Sequence, residues 1–150
     1  MRSLVLDTSV AIAWYLPETF RASARAWQSR LLDGRVRLVV PGLHYWEFGN
    51  VLRTYVMRSE LEADLAEQIW ALHLEAPLEV AEPERADVLA TALRYGATVH
   101  DAVHIALSRS LDLPLTSPAR ERHGPSEAPR RGRDRTASGG SSKRSTARRG

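Results

Sequence analysis

The stretch Leu4-Val5-Leu6-Asp7-Thr8-Ser9-Val10 decides the fold class of this 150-residue chain. Its first three residues form a short continuous apolar run, which is typical of a buried strand. Thr8 or Ser9 can then cap a helix that continues to Leu16. Asp7 therefore lies where a strand ends and a helix begins, and the pattern predicts a β–α unit at the start of the chain.

Strand-like and helix-like stretches alternate along the chain as far as residue 118. Gly34 and Gly96 mark two helix ends, and the capping-box pattern Ser59-Glu60-Leu61-Glu62 marks a helix start. The predicted strands are 4–6, 36–40, 78–80, 98–99 and 113–116, and the predicted helices are 10–16, 18–32, 43–57, 59–74, 83–95 and 101–111. This alternation predicts an α/β protein, a three-layer α/β/α sandwich with a central parallel sheet. Ligands of such folds bind beyond the carboxyl ends of the strands.

Composition changes sharply after residue 118. Every Phe, Trp and Tyr lies at or before Tyr95, and no Val, Ile, Leu or Met follows Leu115. Residues 119–150 offer only four alanines to a core, so they cannot bury enough surface to offset the entropy of ordering. We predict one globular domain over residues 1–118 and a disordered basic tail, rich in Arg, Gly, Ser and Pro, over residues 119–150.

Charge divides at the same point. Residues 1–118 contain 11 Arg and 15 Asp or Glu, a net charge of −4, whereas residues 119–150 contain 10 Lys or Arg and 3 acids, a net charge of +7. The positive charge of the chain therefore belongs to the tail. Cysteine is absent, which excludes disulfides and thiolate metal sites, and the first apolar run is far too short for a signal peptide or a membrane span. We expect a cytoplasmic protein.

Three acids occupy positions where a small α/β domain has little structural use for a charge. Asp7 follows the first strand, Glu47 lies on the apolar side of a helix, and Asp101 opens the last helix. Each has an ordinary alternative. Asp7 can form an Asx turn, Glu47 can pair with Arg53 or Arg21, and Asp101 can interact favourably with the helix dipole.

Together the three carboxylates indicate a metal site. Three such charges brought close together repel one another by about 4 kcal/mol per pair at 4 Å. A divalent cation would remove that cost, since hard cations prefer oxygen ligands and can activate water against a phosphodiester. Asn50 lies three residues after Glu47, so its amide can share the same helical face.

The histidines and tryptophans form no comparable pattern. His44, His73, His100 and His104 lack a repeated metal-ligand spacing, so we assign them structural roles. The four tryptophans lie on predicted helical faces and are interpreted as core residues rather than as platforms for nucleic-acid bases: Trp14, Trp27, Trp46 and Trp70.

Three segments, in this order and at these spacings, resemble the PIN-domain family and within it the VapC-type toxins of bacterial toxin–antitoxin pairs. They are Asp7-Thr8-Ser9-Val10, then Pro41 with Glu47-Phe48-Gly49-Asn50-Val51-Leu52, then His100-Asp101-Ala102 with Ala106-Leu107. Each segment alone is a weak signal, but the ordered set is fairly specific. The resemblance covers residues 1–117.

The resemblance implies a Rossmann-like sandwich and an endoribonuclease that depends on Mg²⁺, or on Mn²⁺, and uses no protein nucleophile. It carries over Asp7, Glu47 and Asp101 as catalytic acids that bind the metal. It also implies an RNA substrate, a homodimer and a cognate antitoxin that holds the toxin inactive. The supporting polar residues that carry over are Thr8, Ser9, Asn50 and Thr116.

The sequence departs from the family pattern at Leu115-Thr116-Ser117-Pro118. The family usually has a strand that ends in Thr, any residue, Asp, and here Pro118 occupies the position of that fourth acid. The family continues with another helix and strand, whereas this chain becomes rich in Arg, Gly, Ser and Pro. We interpret the change as a C-terminal part truncated by frameshift or degradation, beginning near Ser117.

Two functions follow from these observations. The first is a metal-dependent endoribonuclease of toxin type, and the second is a catalytically impaired PIN-like module that binds antitoxin or RNA without cleaving it. A phosphoacceptor that uses Asp7 as nucleophile is disfavoured, because residues 1–118 contain no lysine to hold a phosphoryl group. A P-loop NTPase is excluded because the chain has no Gly-rich segment ending in Gly-Lys-Ser/Thr.

Overall fold

A computed structural model describes residues 1–18 and 20–116, which form four strands and six helices. In chain order they are β1 (Arg2–Leu6), α1 (Thr8–Ile12), α2 (Arg21–Leu32), β2 (Val36–Val40), α3 (Leu43–Met57), α4 (Ala63–Leu74), β3 (Glu79–Val80), α5 (Arg85–Tyr95), α6 (Val99–Ser110) and β4 (Leu115–Thr116). None of these six helices is long and apolar enough to cross a membrane. The predicted domain boundary, the tail and Pro118 lie outside the described residues.

The strands form one parallel sheet in the order β3-β2-β1-β4. β1 is central: Leu4 pairs with Leu38 of β2, and Leu6 pairs with Thr116 of β4. Since all pairs are parallel, the carboxyl ends of the strands lie at one edge of the sheet. Asp7 follows β1 at that edge.

Helices cover both faces of the sheet, which confirms the predicted three-layer sandwich. Leu4 and Leu6 face the larger apolar cluster, which α1 to α4 complete. Val5 faces the opposite side, where it packs with Val39 and with Leu107 of α6. Residues 4–6 of β1 form an uninterrupted apolar run because both faces of the strand are buried there.

Two predicted features around α6 and α4 are wrong. Residues 98–99 are not a strand: Thr98 caps α6, its Oγ1 accepting the backbone N–H of Asp101 at 3.1 Å, and α6 begins at residue 99. The capping box at residues 59–62 does not form. Ser59 has a left-handed φ of 58°, and α4 begins only after Glu62. Thr98 thus caps a helix instead of belonging to a strand, and Ser59 occupies a left-handed turn instead of starting a helix.

The cap of the first helix also differs from the prediction. Asp7, rather than Thr8 or Ser9, is the N-cap residue of α1. The helix therefore begins at Thr8 itself and directs the Thr8 side chain into the protein, where it is buried. This shift of one residue determines which hydroxyl reaches the interior.

Gly96 ends α5 in a left-handed conformation, with φ of 60°, and its N–H donates to the carbonyl of Ala92. A Cβ built at this position would meet no described atom within 4 Å, so only backbone strain opposes a side chain. We expect Gly96→Ala to lower the free energy of unfolding by about 1 kcal/mol, and Gly96→Asn to lower it less, since Asn tolerates this conformation. Urea denaturation measures both, and equal losses would contradict the strain argument.

Candidate active site

Asp7 is fixed at the carboxyl end of β1 by three hydrogen bonds. Its backbone N–H donates to the carbonyl oxygen of Thr116 at 3.2 Å. Its Oδ1 accepts from the backbone N–H and from the hydroxyl of Ser9, at 2.8 and 2.6 Å. Asp7 therefore forms the Asx turn that was its structural alternative. Both side-chain bonds reach Oδ1, so in the described part of the chain Oδ2 keeps its lone pairs for another ligand.

Thr8 places a buried hydroxyl where three helices meet. Its Oγ1 lies 2.9 Å from Nδ1 of His44 on α3 and 3.4 Å from Nε2 of His104 on α6. The same oxygen donates to Oε1 of Glu47 at 3.3 Å. One hydroxyl at the start of α1 thus connects the end of β1 to α3 and α6.

Glu47 is half-buried on α3, with 28% of its side chain exposed. Its Oε1 lies 3.5 Å from Nε2 of His104, in addition to the contact with Thr8. The alternative in which Glu47 pairs with Arg53 or Arg21 is wrong for the described residues. The Glu47 carboxylate therefore contacts a hydroxyl and an imidazole rather than a guanidinium.

The electrostatic environment of Glu47 opposes its ionisation. Burial raises the pKa of the Glu47 carboxyl, and the negative charge of Asp7 raises it as well. His104, the hydrogen bond from Thr8 and His100 act in the opposite direction without cancelling the effect of burial. Glu47 and Asp7 are therefore close enough for each charge to affect the other.

Asp101 lies in the first turn of α6 and is exposed to solvent. Since α6 leads into the parallel strand β4, its N-terminal end lies on the same side of the sheet as the carboxyl ends of the strands. His104, one turn further along α6, contacts Glu47 and Thr8. Asp101 is thus joined to Asp7 and Glu47 through the helix rather than by a direct contact. Among residues 1–18 and 20–116 no group of three or more acids or histidines is arranged to hold a metal ion.

The four supporting residues have different surroundings. Thr8 and Thr116 are buried, and the Thr116 hydroxyl donates to the carbonyl of Val5 at 3.2 Å. Ser9 is exposed and bonds to Asp7. Asn50 is exposed on α3, one turn beyond Glu47. Of this set, the structure brings only Thr8 into direct contact with Glu47.

A buried chain of aromatic side chains extends inward from Thr8. Nε2 of His44 lies 2.8 Å from Nε2 of His73, and Nδ1 of His73 lies 3.1 Å from the hydroxyl of Tyr15. The ring of His73 stacks on Phe48, with centroids 3.9 Å apart and planes 13° from parallel. Burial lowers the pKa of His44 to about 3 and of His73 to about 4. Both rings are therefore neutral near pH 7.

Sequence reasoning assigned His44 and His104 structural roles and missed their contacts with the site. The spacing contained the necessary signal. His44 lies three residues before Glu47, and His104 lies three residues after Asp101. Residues three apart share a helical face, so each of these histidines lies on the same side of its helix as one of the acids.

A cavity of about 520 Å³ lies between the starts of α3, α5 and α6. Its lining includes Trp46, Arg85 and His100. The interpretation of Trp46 as a core residue is wrong, because 71% of it is exposed. Trp14 and Trp27 are buried as predicted, and Trp70 is partly buried against the same core. The cavity therefore combines an indole, a guanidinium and the carboxylate of Glu82.

The residues present have the chemistry that a hard divalent cation requires. Asp7 and Glu47 are carboxylates whose charges repel each other, and the Thr8 hydroxyl supplies a further oxygen. Such oxygen donors suit Mg²⁺ or Mn²⁺. Burial of Glu47 makes neutralisation by a cation favourable, since an unpaired buried carboxylate is costly.

A sequence model described as the PIN domain matches residues 4–117, which is most of the chain. The chain belongs to the PIN-domain family. Ribonuclease VapC3 of Pyrobaculum aerophilum is 30% identical over 117 residues, an alignment that covers 72% of this chain and 82% of that protein. The prediction of a PIN domain of VapC type is confirmed.

Solved structures share the fold of this PIN domain. The crystal structure of PAE2754 from Pyrobaculum aerophilum superposes with a TM-score of 0.63 at 21% identity, over 80% of this chain and 76% of that one. VapC20 of Mycobacterium tuberculosis, described as a toxin that cleaves the sarcin–ricin loop, superposes with a TM-score of 0.52 at 18% identity, over 73% and 84%. At these identities the likeness supports the fold alone.

The buried histidines make the stability of the fold depend on pH. Since the pKa values of His44 and His73 are about 3 and about 4 in the fold, against 6.5 ordinarily, the unfolded chain binds more protons below pH 6.5. Stability is therefore present above pH 6.5 and is lost as the pH falls toward 4. By pH 5 we expect a loss of about 2 kcal/mol for each histidine.

Urea denaturation at pH 7 and pH 5 measures this effect. His73→Gln is expected to remove about half of the difference between the two pH values, whereas His100→Gln, a change at an exposed histidine, should leave it unchanged. An undiminished difference in the His73 variant would contradict the assignment of the buried rings as its source.

Proposed function

We propose that this PIN domain is an endoribonuclease, the toxin of a type II toxin–antitoxin pair, and that its activity requires Mg²⁺ or Mn²⁺. The observation that carries the proposal is the environment of Glu47. Its carboxylate lies half-buried at the carboxyl edge of a parallel sheet, next to the charge of Asp7 and in contact with the hydroxyl of Thr8. The name of the relative VapC3, a ribonuclease, supports the same activity.

Asp7, Glu47 and Asp101 are the residues that would hold the cation. A cation held there would supply Lewis-acid activation of water and neutralise charge at the scissile phosphate, so that no protein nucleophile would be needed. Asp7 reaches the site with Oδ2, because Ser9 engages its Oδ1. Asp101 would complete the set from the first turn of α6, with Asn50 and Thr116 supporting it.

The remaining residues of the site hold Glu47 in place. Thr8 donates to Oε1, and Nε2 of His104 approaches the same oxygen. Both contacts are made to Oε1 rather than to Oε2. The hydrogen bond from Thr8 and the neighbouring ring of His104 restrict the orientation of the carboxylate, and metal-bound carboxylates are commonly oriented by such outer contacts.

RNA would approach over the cavity that Trp46 and His100 line, the residues that precede Glu47 and Asp101 in the sequence. The exposed indole of Trp46 can stack a base, and Arg85 can contact a phosphate. The net charge of −4 on residues 1–118 opposes RNA binding, and the +7 of residues 119–150 favours it. Affinity should therefore fall as salt concentration rises.

Assembly as a homodimer, inhibition by a cognate antitoxin and a cytoplasmic location belong to the same proposal.

Cleavage of RNA by the purified protein, with and without Mg²⁺, tests the activity. Asp7→Asn and Asp101→Asn keep the size of each side chain and remove its charge. We expect each to lower Mg²⁺-dependent kcat/KM by at least about 100-fold, because a bound cation contributes several kcal/mol to the transition state.

Asp112→Asn is the matched control for these variants. Asp112 follows α6 at the end opposite to Asp101 and has a left-handed φ of 52°, which Asn adopts readily. Its activity should equal that of the wild type. Unchanged cleavage in both the Asp7 and Asp101 variants would refute the assignment of the metal site.

A second candidate function is a PIN-like module that binds antitoxin or RNA but cleaves poorly. The observation in its favour is Pro118, which occupies the position of the fourth acid, two residues beyond Thr116 in the sequence. Thr116 itself pairs with Leu6 beside Asp7. An acid at position 118 would therefore follow the strand next to the site.

Pro118→Asp tests whether that acid limits the activity. If the site lacks a ligand, the substitution should lower the Mg²⁺ concentration for half-maximal cleavage by about 10-fold, as expected for a site that regains an oxygen donor. Pro118→Ala removes the proline without adding a carboxylate and should behave as the wild type. An equal response of the two variants would exclude the missing acid as the cause of any weak activity.

A further inference from the structure

An unbroken chain of hydrogen-bonding groups runs from Tyr15 to Glu47. The Tyr15 hydroxyl contacts Nδ1 of His73 at 3.1 Å, and the two histidines meet through their Nε2 atoms at 2.8 Å. Nδ1 of His44 then contacts Thr8 at 2.9 Å, and the Thr8 hydroxyl reaches Glu47 at 3.3 Å. His44 and His73 are completely buried. The metal chemistry described above makes no use of this chain beyond Thr8.

Proton counting gives the chain a direction. A hydroxyl has a single proton, and an ionised carboxylate can only accept. If Thr8 donates to Glu47, Nδ1 of His44 must be the atom that donates to Thr8. A neutral imidazole has one N–H, so Nε2 of His44 must accept a proton from Nε2 of His73. Nδ1 of His73 then accepts from the Tyr15 hydroxyl, and every group in the chain is satisfied.

Reversing every donor and acceptor in the chain leaves the Glu47 carboxylate with fewer hydrogen bonds. In that case the Thr8 hydroxyl donates to Nδ1 of His44, and Glu47 loses this hydrogen bond. Its remaining contact is His104, whose Nε2 lies 3.5 Å away, at the outer limit of a hydrogen bond. A half-buried carboxylate that loses a donor is costly, so the direction that ends on Glu47 is favoured.

We propose that His44 is a positioning residue for this site: its Nδ1–H donates to Thr8 and turns the Thr8 proton toward Glu47, and His73 and Tyr15 hold His44 in that tautomer. The consequence for cleavage rests on the proposed function, whereas the tautomers themselves do not. His44 touches neither substrate nor cation. It acts through the orientation of Thr8 and, through Thr8, of the Glu47 carboxylate.

Packing around the chain keeps the rings from turning. His73 is stacked on Phe48, and Tyr15 meets both rings edge to face, at 5.7 Å from Phe48 and 5.5 Å from His73. His44 meets Tyr45 in the same manner at 5.2 Å. A ring flip of either histidine would exchange its nitrogens for carbons and break two hydrogen bonds. The aromatic cluster therefore keeps each ring nitrogen facing its partner.

The tautomers are measured on the intact protein at pH 7 by long-range ¹H–¹⁵N correlation, with His44→Asn and His73→Asn used for assignment. We expect His44 in the Nδ1–H form and His73 in the Nε2–H form. An Nε2–H form of His44 would overturn the proposal. This measurement does not depend on nuclease activity, so its failure is distinguishable from failure of the proposed function.

Two substitutions of His44 separate positioning from packing. The amide of Asn can occupy the place of Nδ1 and still donate to Thr8, whereas the amide of Gln lies nearer to the place of Nε2 and reaches His73 instead. His44→Gln is expected to lower kcat by about 10- to 100-fold with little change in KM, as for loss of a residue that orients a metal ligand. His44→Asn is expected to retain most of the activity.

Thermal unfolding of both variants gives the stability readout. A purely structural role for His44 would lower stability and activity together, and to a similar extent in the two variants. That outcome, or a His44→Gln protein as active as the wild type, would overturn the proposal. If His44→Gln fails to fold, the tautomers of the wild-type protein decide the question.

Discussion

The parallel pairing of β1 with β2 on one side and with β4 on the other is the constraint on which the rest of the structure depends. It buries both faces of β1, and it brings the carboxyl ends of the strands to one edge. Asp7 follows β1 at this edge and caps α1, which directs Thr8 inward. Thr8 in turn donates a hydrogen bond to Glu47, so the position of the Glu47 carboxylate also depends on where β1 ends. The candidate site is therefore a consequence of where one strand ends.

Much of this arrangement could be predicted from the sequence, because it depends on local patterns. A continuous apolar run marked the strand 4–6, a mostly apolar stretch with one arginine marked the strand 36–40, and glycines at 34 and 96 marked helix ends that the structure contains. The order of Asp7, Glu47 and Asp101 along alternating elements placed all three at the same side of the sheet. The sequence could not show whether the three carboxylates contact one another. Among the described residues Asp101 is linked to the other two only through His104 on the same helix.

What could not be predicted are contacts between residues distant in sequence. His44 and His73 are 29 residues apart, and His104 is 96 residues from Thr8, so no local pattern links them. Trp46 looked like a core residue because helical periodicity does not say which side of a helix faces the sheet. Thr98 and Ser59 were misassigned because a short polar side chain can serve a strand end, a helix cap or a left-handed turn.

Because the tryptophans are buried to different extents, their intrinsic fluorescence reports on different parts of this protein. Trp14 and Trp27 lie in the core, with 1% and 9% of their surfaces exposed, so their emission follows the folded state. Trp46 faces solvent beside Glu47 and lines the adjoining cavity. Its accessibility to a collisional quencher therefore follows whatever enters that cavity. Trp46 thus reports on that cavity, whereas Trp14, Trp27 and the partly buried Trp70 report on the folded core.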